Sequence, residues 1–175
     1  MNRQYKVILN SGLLTMVSSI ILTSSSVLKS NSMSLPSYQT ARTSSPVQYQ
    51  PSAKTWLERG IEEAVNGDYH AAAANYNQAL YHDSKNPDTY YNRGVANYSL
   101  GQYKQALADF NQAIKLNPLL AEAYGNRAFL HFEQGDRQRA IKDCKQAAKL
   151  FTLQGDETAA KQMQAFEQTA RAIAK

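Results

Sequence analysis

From residue 53 onward the sequence repeats itself every 34 residues, and no other feature restricts its fold as strongly. Three units align, at 53–86, 87–120 and 121–154. Trp56, Tyr90 and Tyr124 share one column, and Arg59, Arg93 and Arg127 another. Gly60, Gly94 and Ala128 coincide, as do Gly67, Gly101 and Gly135. Ala72, Ala106 and Ala140 follow, then Tyr76, Phe110 and Cys144, then Ala79, Ala113 and Ala147. A unit of this length cannot bury its own apolar face, so the copies must stack.

Each column has a physical reason. The leading aromatic opens a first helix and fills the space beside a second. Gly60, Gly94 and Ala128 are small because the two helices of a unit cross closely there. Gly67, Gly101 and Gly135 fall where the first helix must stop in a left-handed conformation. Ala72, Ala106 and Ala140 let the second helix approach, and Asn117-Pro118 closes the second unit because the residue before proline leaves helical geometry. A further helix follows the three units after Gly155-Asp156, where Ala159, Met163, Phe166, Ala170 and Ile173 form a one-sided stripe. Such a helix would cover the apolar face of the last unit.

The columns, and Tyr-Tyr-Asn-Arg-Gly at 90–94 in particular, resemble the tetratricopeptide repeat (TPR) family across 53–154. The resemblance implies an all-α, right-handed superhelical solenoid of three helix-turn-helix units plus a C-terminal capping helix at 155–175, with the helices of the units near 54–66, 70–82, 88–100, 103–116, 121–134 and 137–151. Ser84 and Thr152 depart from the family's usual proline, and Cys144 from its large aromatic.

The remainder of the chain differs in composition. Arg3, Lys6, Lys29 and Arg42 are four of the 19 basic residues, and none of the 14 acidic ones precedes residue 53. The net charge of +5 therefore belongs mainly to the N-terminal tail, and the repeats are balanced to within one charge. That argues against nucleic-acid binding, which needs a concentrated basic face. Residues 1–26 have a basic head, an apolar run of about 16 residues and Ser24-Ser25-Ser26, the layout of a signal peptide. The run falls short of the roughly 20 residues of a bilayer span, so cleavage near Ser26 is expected in preference to an anchor. Membrane contact is then expected only through this segment where it stays uncleaved. Residues 27–52, rich in Ser with Pro36, Pro46 and Pro51, read as a flexible linker. With the repeats, the signal suggests an exported bacterial TPR protein of the periplasm or thylakoid lumen, the latter a cyanobacterial setting, or a secreted one.

Within the units, Arg93 precedes Asp109 and Arg127 precedes Asp143 at one spacing, which predicts a bridge inside each helix pair. Asn75 stands at that place in unit one, so Arg59 is expected to lack such a partner. Cys144 is the only cysteine and lies in a core column. His70, His82 and His131 have no metal-ligand spacing, and no phosphate loop or nucleophile elbow occurs. The expectation is a protein that is not an enzyme and takes no cofactor or metal.

The resemblance places the first helices on the inner wall of the superhelix. The wall residues it implies are Leu57, Ile61 and Val65; Tyr91, Asn92, Val95 and Ser99; and Gly125, Asn126, Phe129 and Glu133. They are expected to bind a segment of a partner protein, or else to pack on one another. A carboxylate clamp of the kind that holds chaperone tails is absent: its places hold Leu57, Ile61, Asn92, Glu122 and Asn126, of which Asn92 matches. The expected function is a scaffold or assembly adaptor. A self-associating structural module and a regulatory subunit of an enzyme complex are the alternatives.

Overall fold

In a computed structural model, residues 51–172 are described. The signal read at 1–26, the linker as far as residue 50 and Ile173 of the capping stripe lie outside them. Seven helices account for the described chain: α1 (Ala53–Val65), α2 (Tyr69–His82), α3 (Pro87–Ser99), α4 (Tyr103–Leu116), α5 (Ala121–Glu133), α6 (Arg137–Leu153) and α7 (Glu157–Ala172). No strand occurs among the described residues.

The helix starts follow from local chemistry. Ser52 Oγ accepts the Thr55 N–H at 3.2 Å, Asn86 Oδ1 accepts that of Thr89 at 2.9 Å, and Pro87 occupies the first turn of α3. Asp68 and Asp136 cap α2 and α6 in the same way. The turn inside each unit is closed by a left-handed glycine, Gly67 at φ +84, Gly101 at +72 and Gly135 at +80. The next N–H reaches back across the turn, as from Asp136 to the His131 carbonyl at 2.8 Å.

The turn between α6 and α7 is built like those inside a unit. Gly155 has φ +77, Asp156 N–H bonds the Phe151 carbonyl at 2.9 Å, and Asp156 Oδ1 caps α7 at Ala159 N–H, 3.0 Å away. Helix α6 accordingly runs to Leu153, past the expected end at 151. Thr152 has the backbone N–H and lacks the ring that make proline stop a helix, so the extra turn costs nothing.

The core is linear, with one apolar cluster per unit. Ala72, Tyr76 and Ala96 join α2 to α3; Tyr91, Ala106, Phe110, Leu120 and Leu130 join α3, α4 and α5; Phe129, Ala147, Phe151, Ala160 and Met163 join α5, α6 and α7. Helix α7 thus supplies the neighbour that the last unit would otherwise lack. Its buried side is Ala159, Ala160, Met163 and Ala170, with Phe166 half-buried.

Candidate protein-interaction face

The arginines of the first helices form a ladder. Arg93 Nε and Nη2 donate to the two oxygens of Asp109 at 3.0 and 2.6 Å, and Arg127 does the same to Asp143 at 2.7 and 2.8 Å. Both carboxylates are buried, and each pairing is bidentate, the geometry that holds a guanidinium most firmly. The sequence spacing predicts these two bridges. It does not reveal that each arginine also reaches the preceding unit. Nη1 of Arg93 donates to Asn77 Oδ1 and that of Arg127 to Asn111 Oδ1, both at 2.7 Å. One side chain therefore ties three helices. The asparagines recur in a column of their own, which is the signal that could have revealed it. Arg59 has neither contact among the described residues; its guanidinium lies 5.0 Å from the Trp56 ring centroid.

A polar cleft of about 390 Å³ opens over this ladder, lined in part by Asn77, Arg93, Asn97 and Asp109. Asn97 Nδ2 donates to Asp109 Oδ2 at 2.8 Å, so these cleft groups satisfy one another. His131 stands where unit two has Asn97, with Nε2 4.0 Å from Asp143 Oδ2 and Nδ1 buried without a partner. Burial holds its pKa below the ordinary value of 6.5, against the pull of Asp143. Cys144 is buried, and burial pushes its thiol up to about 12, which removes it as a nucleophile at neutral pH. Among the described residues no group of His, Cys, Asp and Glu could hold a metal ion.

The expected wall residues divide into two sets. Leu57, Ile61, Asn92 and Val95 are half-buried, and Val65, Ser99 and Glu133 are exposed. Tyr91, Gly125, Asn126 and Phe129 are buried, which corrects their assignment to an accessible wall. Asn126 Nδ2 donates to Tyr91 Oη at 3.1 Å across the unit boundary, and Tyr91 packs on Phe110 with centroids 6.2 Å apart. Phe129 lies against Phe166 of α7, centroid to centroid 4.1 Å, and the Met163 sulfur stands 3.2 Å from where a Cβ on Gly125 would be. These side chains join unit to unit. A contact the sequence reading missed fixes Glu133, whose Oε1 accepts from Tyr98 Oη at 2.7 Å.

Seven helices with one small-residue crossing per pair and glycine-closed turns define an α-solenoid of helical hairpins. Models of the tetratricopeptide repeat match residues 87–118 and 121–152, and a TPR repeat model matches 62–101; the chain is a tetratricopeptide-repeat protein. No curated protein matches it. Among solved structures it is similar to the first TPR domain of Spaghetti (RPAP3) bound to the HSP90 peptide SRMEEVD. Identity is 26%, coverage 71% of this chain and 97% of that one, and the TM-score 0.62. It shares the fold of the TPR2B domain of yeast Sti1, solved as a pHsp70 complex, at 21% identity, 69% and 96% coverage and TM-score 0.65. It shares that of PcrH, solved with the chaperone-binding region of PopD, at 20% identity, 70% and 92% coverage and TM-score 0.67.

Proposed function

We propose that the chain is a non-catalytic scaffold or assembly adaptor that holds a segment of another protein along its first helices, α1, α3 and α5. TPR neighbours bind peptides or partner proteins, which supports an interaction role in general. One observation carries the finer reading: the cations of α3 and α5 are consumed. Arg93 and Arg127 are locked to Asp109 and Asp143, leaving half-buried Leu57, Ile61 and Val95 with Asn92 and Ser99 to meet a partner. Recognition then rests on apolar burial and on amide hydrogen bonds to an extended backbone. The tail at 1–26 is proposed as an export signal that delivers the adaptor to the periplasm, a thylakoid lumen or the outside. No described helix is long and apolar enough to cross a membrane.

Affinity capture followed by peptide mapping supplies the test. Val95→Asp and the exposed Ser99→Arg should each weaken the captured segment at least tenfold, about 1.4 kcal/mol, with helicity intact. Amidating the segment's C-terminal carboxyl should change affinity less than about threefold. A segment that needs its free carboxylate and ignores both substitutions would refute the reading.

A further inference from the structure

The second helices of the units, α2, α4 and α6, present an outer face with a composition of its own. In the 34-residue register its rows are His70, Lys104 and Gln138; Ala74, Ala108 and Lys142; and Asn77, Asn111 and Lys145. Two more rows form the rim: Tyr81, Lys115 and Lys149, then Lys85, Leu119 and Leu153. Every one of these positions is exposed and none is acidic. The only acids on the three helices, Asp109 and Asp143, are buried in the arginine ladder. Six of the fifteen positions are lysines, of which Lys145 pairs with Glu167 at 4.0 Å, so this side carries an excess of positive charge within a repeat region that is nearly neutral in sum.

The rim is also apolar. Tyr81, Leu119 and Leu153 are 84%, 65% and 72% exposed, and they make up three of the five large hydrophobic side chains that the described residues leave in water. Leu119 and Leu153 are neighbours in space as well as in register, since Gln154 Nε2 donates to the Leu119 carbonyl at 3.0 Å. Exposed acids border the rim at Asp83, Asp156 and Glu157 and keep their charge, while Asp83 Oδ1 accepts the Lys85 N–H and Asp156 Oδ1 that of Ala159, each at 3.0 Å.

We propose that this rim is a docking surface for an anionic lipid bilayer. Exposed leucines flanked by lysines suit the headgroup boundary, where the apolar tips enter the acyl layer while ammonium groups remain at the phosphates. An aromatic with a polar tip, such as Tyr81, favours the same depth. A nucleic acid would use the lysines and gain little from the leucines. An acidic polypeptide is enclosed best by a groove, and none of the six rim residues lines the polar cleft. The contact is separate from the partner face on α1, α3 and α5, so it stands whether or not that reading does. It also extends membrane contact beyond the N-terminal segment to which the sequence reading confined it.

A reporter on the rim itself tests the proposal in the full-length chain. Thr152→Cys, labelled with an environment-sensitive dye, places the probe between Lys149 and Leu153, and buried Cys144 stays unlabelled. The emission should shift to the blue with vesicles of equimolar phosphatidylglycerol and phosphatidylcholine and not with phosphatidylcholine alone. Lys149→Gln should weaken the partitioning about fivefold, the usual worth of one cation near an anionic leaflet. Leu119→Ser with Leu153→Ser should abolish the shift without loss of helicity. No shift on anionic vesicles overturns the proposal. A shift produced equally by soluble polyglutamate, and unaffected by the leucine exchanges, also overturns it and assigns the rim to acidic polypeptides.

Discussion

Gly94 lies so close beneath the ring of Phe110 that a Cβ built on it would stand 2.7 Å from the ring's Cε1. Gly60 has the same relation to Tyr76, at 2.5 Å. Unit three has Ala128 and Cys144 in the two equivalent places, both fully buried. The methyl gained on one helix is matched by the ring lost from the other, so the crossing keeps its volume. Gly94→Ala should therefore destabilise the protein by about 1–3 kcal/mol through overpacking, although alanine is the better helix former by roughly 1 kcal/mol. In a Phe110→Cys background the same exchange should cost less, and a double-mutant cycle in urea reads the difference. Additive effects would mean that the two columns are independent.

The ladder makes a graded prediction. Asp143→Ala leaves the guanidinium of Arg127 without its bidentate partner while its side chain is only 19% exposed. The loss should be about 2–3 kcal/mol, below the 3–5 kcal/mol of a fully buried broken pair because some water still reaches the arginine. Arg59→Ala removes one exposed ring contact and should cost under about 1 kcal/mol. Chemical denaturation of the two variants checks the order.

Most of this fold is legible in the sequence, because a repeat states the same physical requirement three times. The resemblance that the columns carry places the six helices of the units to within about two residues, and the spacing from Arg93 to Asp109 places their bridge. The candidate face is less legible. A first helix in this solenoid packs on its own partner, on the second helix of the preceding unit and, more lightly, on a neighbouring first helix. The periodicity that marks Tyr91, Asn126 and Phe129 as inward therefore does not separate a buried floor from an open wall. Only the packing of Phe166 on Phe129 and the bond from Asn126 to Tyr91 do so. The outer rim escapes notice for the opposite reason. Net charge sums over all surfaces, and most of the acids that balance the lysines of α4 and α6 in the total lie on other elements, such as Glu58, Glu62 and Glu63 of α1.

His131 ties stability to pH. Burial lowers its folded-state pKa, so the native state resists the proton that the unfolded chain accepts near pH 6.5. The stabilisation is fully present above pH 6.5 and is lost as the pH falls through the depressed native value. His131→Asn installs the residue that unit two has at Asn97, which donates to its carboxylate at 2.8 Å and does not titrate. This variant should flatten the fall in unfolding free energy below about pH 6.5 while leaving that at pH 8 within about 1 kcal/mol. Urea midpoints across that range, compared with the parent, provide the measurement. An identical slope in both proteins would place the titration elsewhere.

The last unit depends on α7 for closure. Phe166 stacks on Phe129 at 4.1 Å and meets Phe132 edge-on at 5.2 Å, and Met163 is 1% exposed. Because α7 follows α6 through a glycine turn of the within-unit kind, its removal strips cover from α5 and α6 together. Phe129, Ala148, Leu150 and Phe151 form one buried cluster with Met163 and Ala160. Side chains of this size contribute about 1.5–3 kcal/mol each when fully buried, so their partial exposure is enough to drive association. A chain ending at Asp156 should keep the helices of units one and two yet self-associate with rising concentration, as light scattering would show. Phe166→Ala should be milder, lowering stability by roughly 1–3 kcal/mol because its ring is only half-buried. It should keep the parent's mass in light scattering, since Met163 and Ala160 still cover the cluster. A truncated chain that keeps the parent's association state and unfolds at the parent's midpoint would show that α5 and α6 close the solenoid without α7.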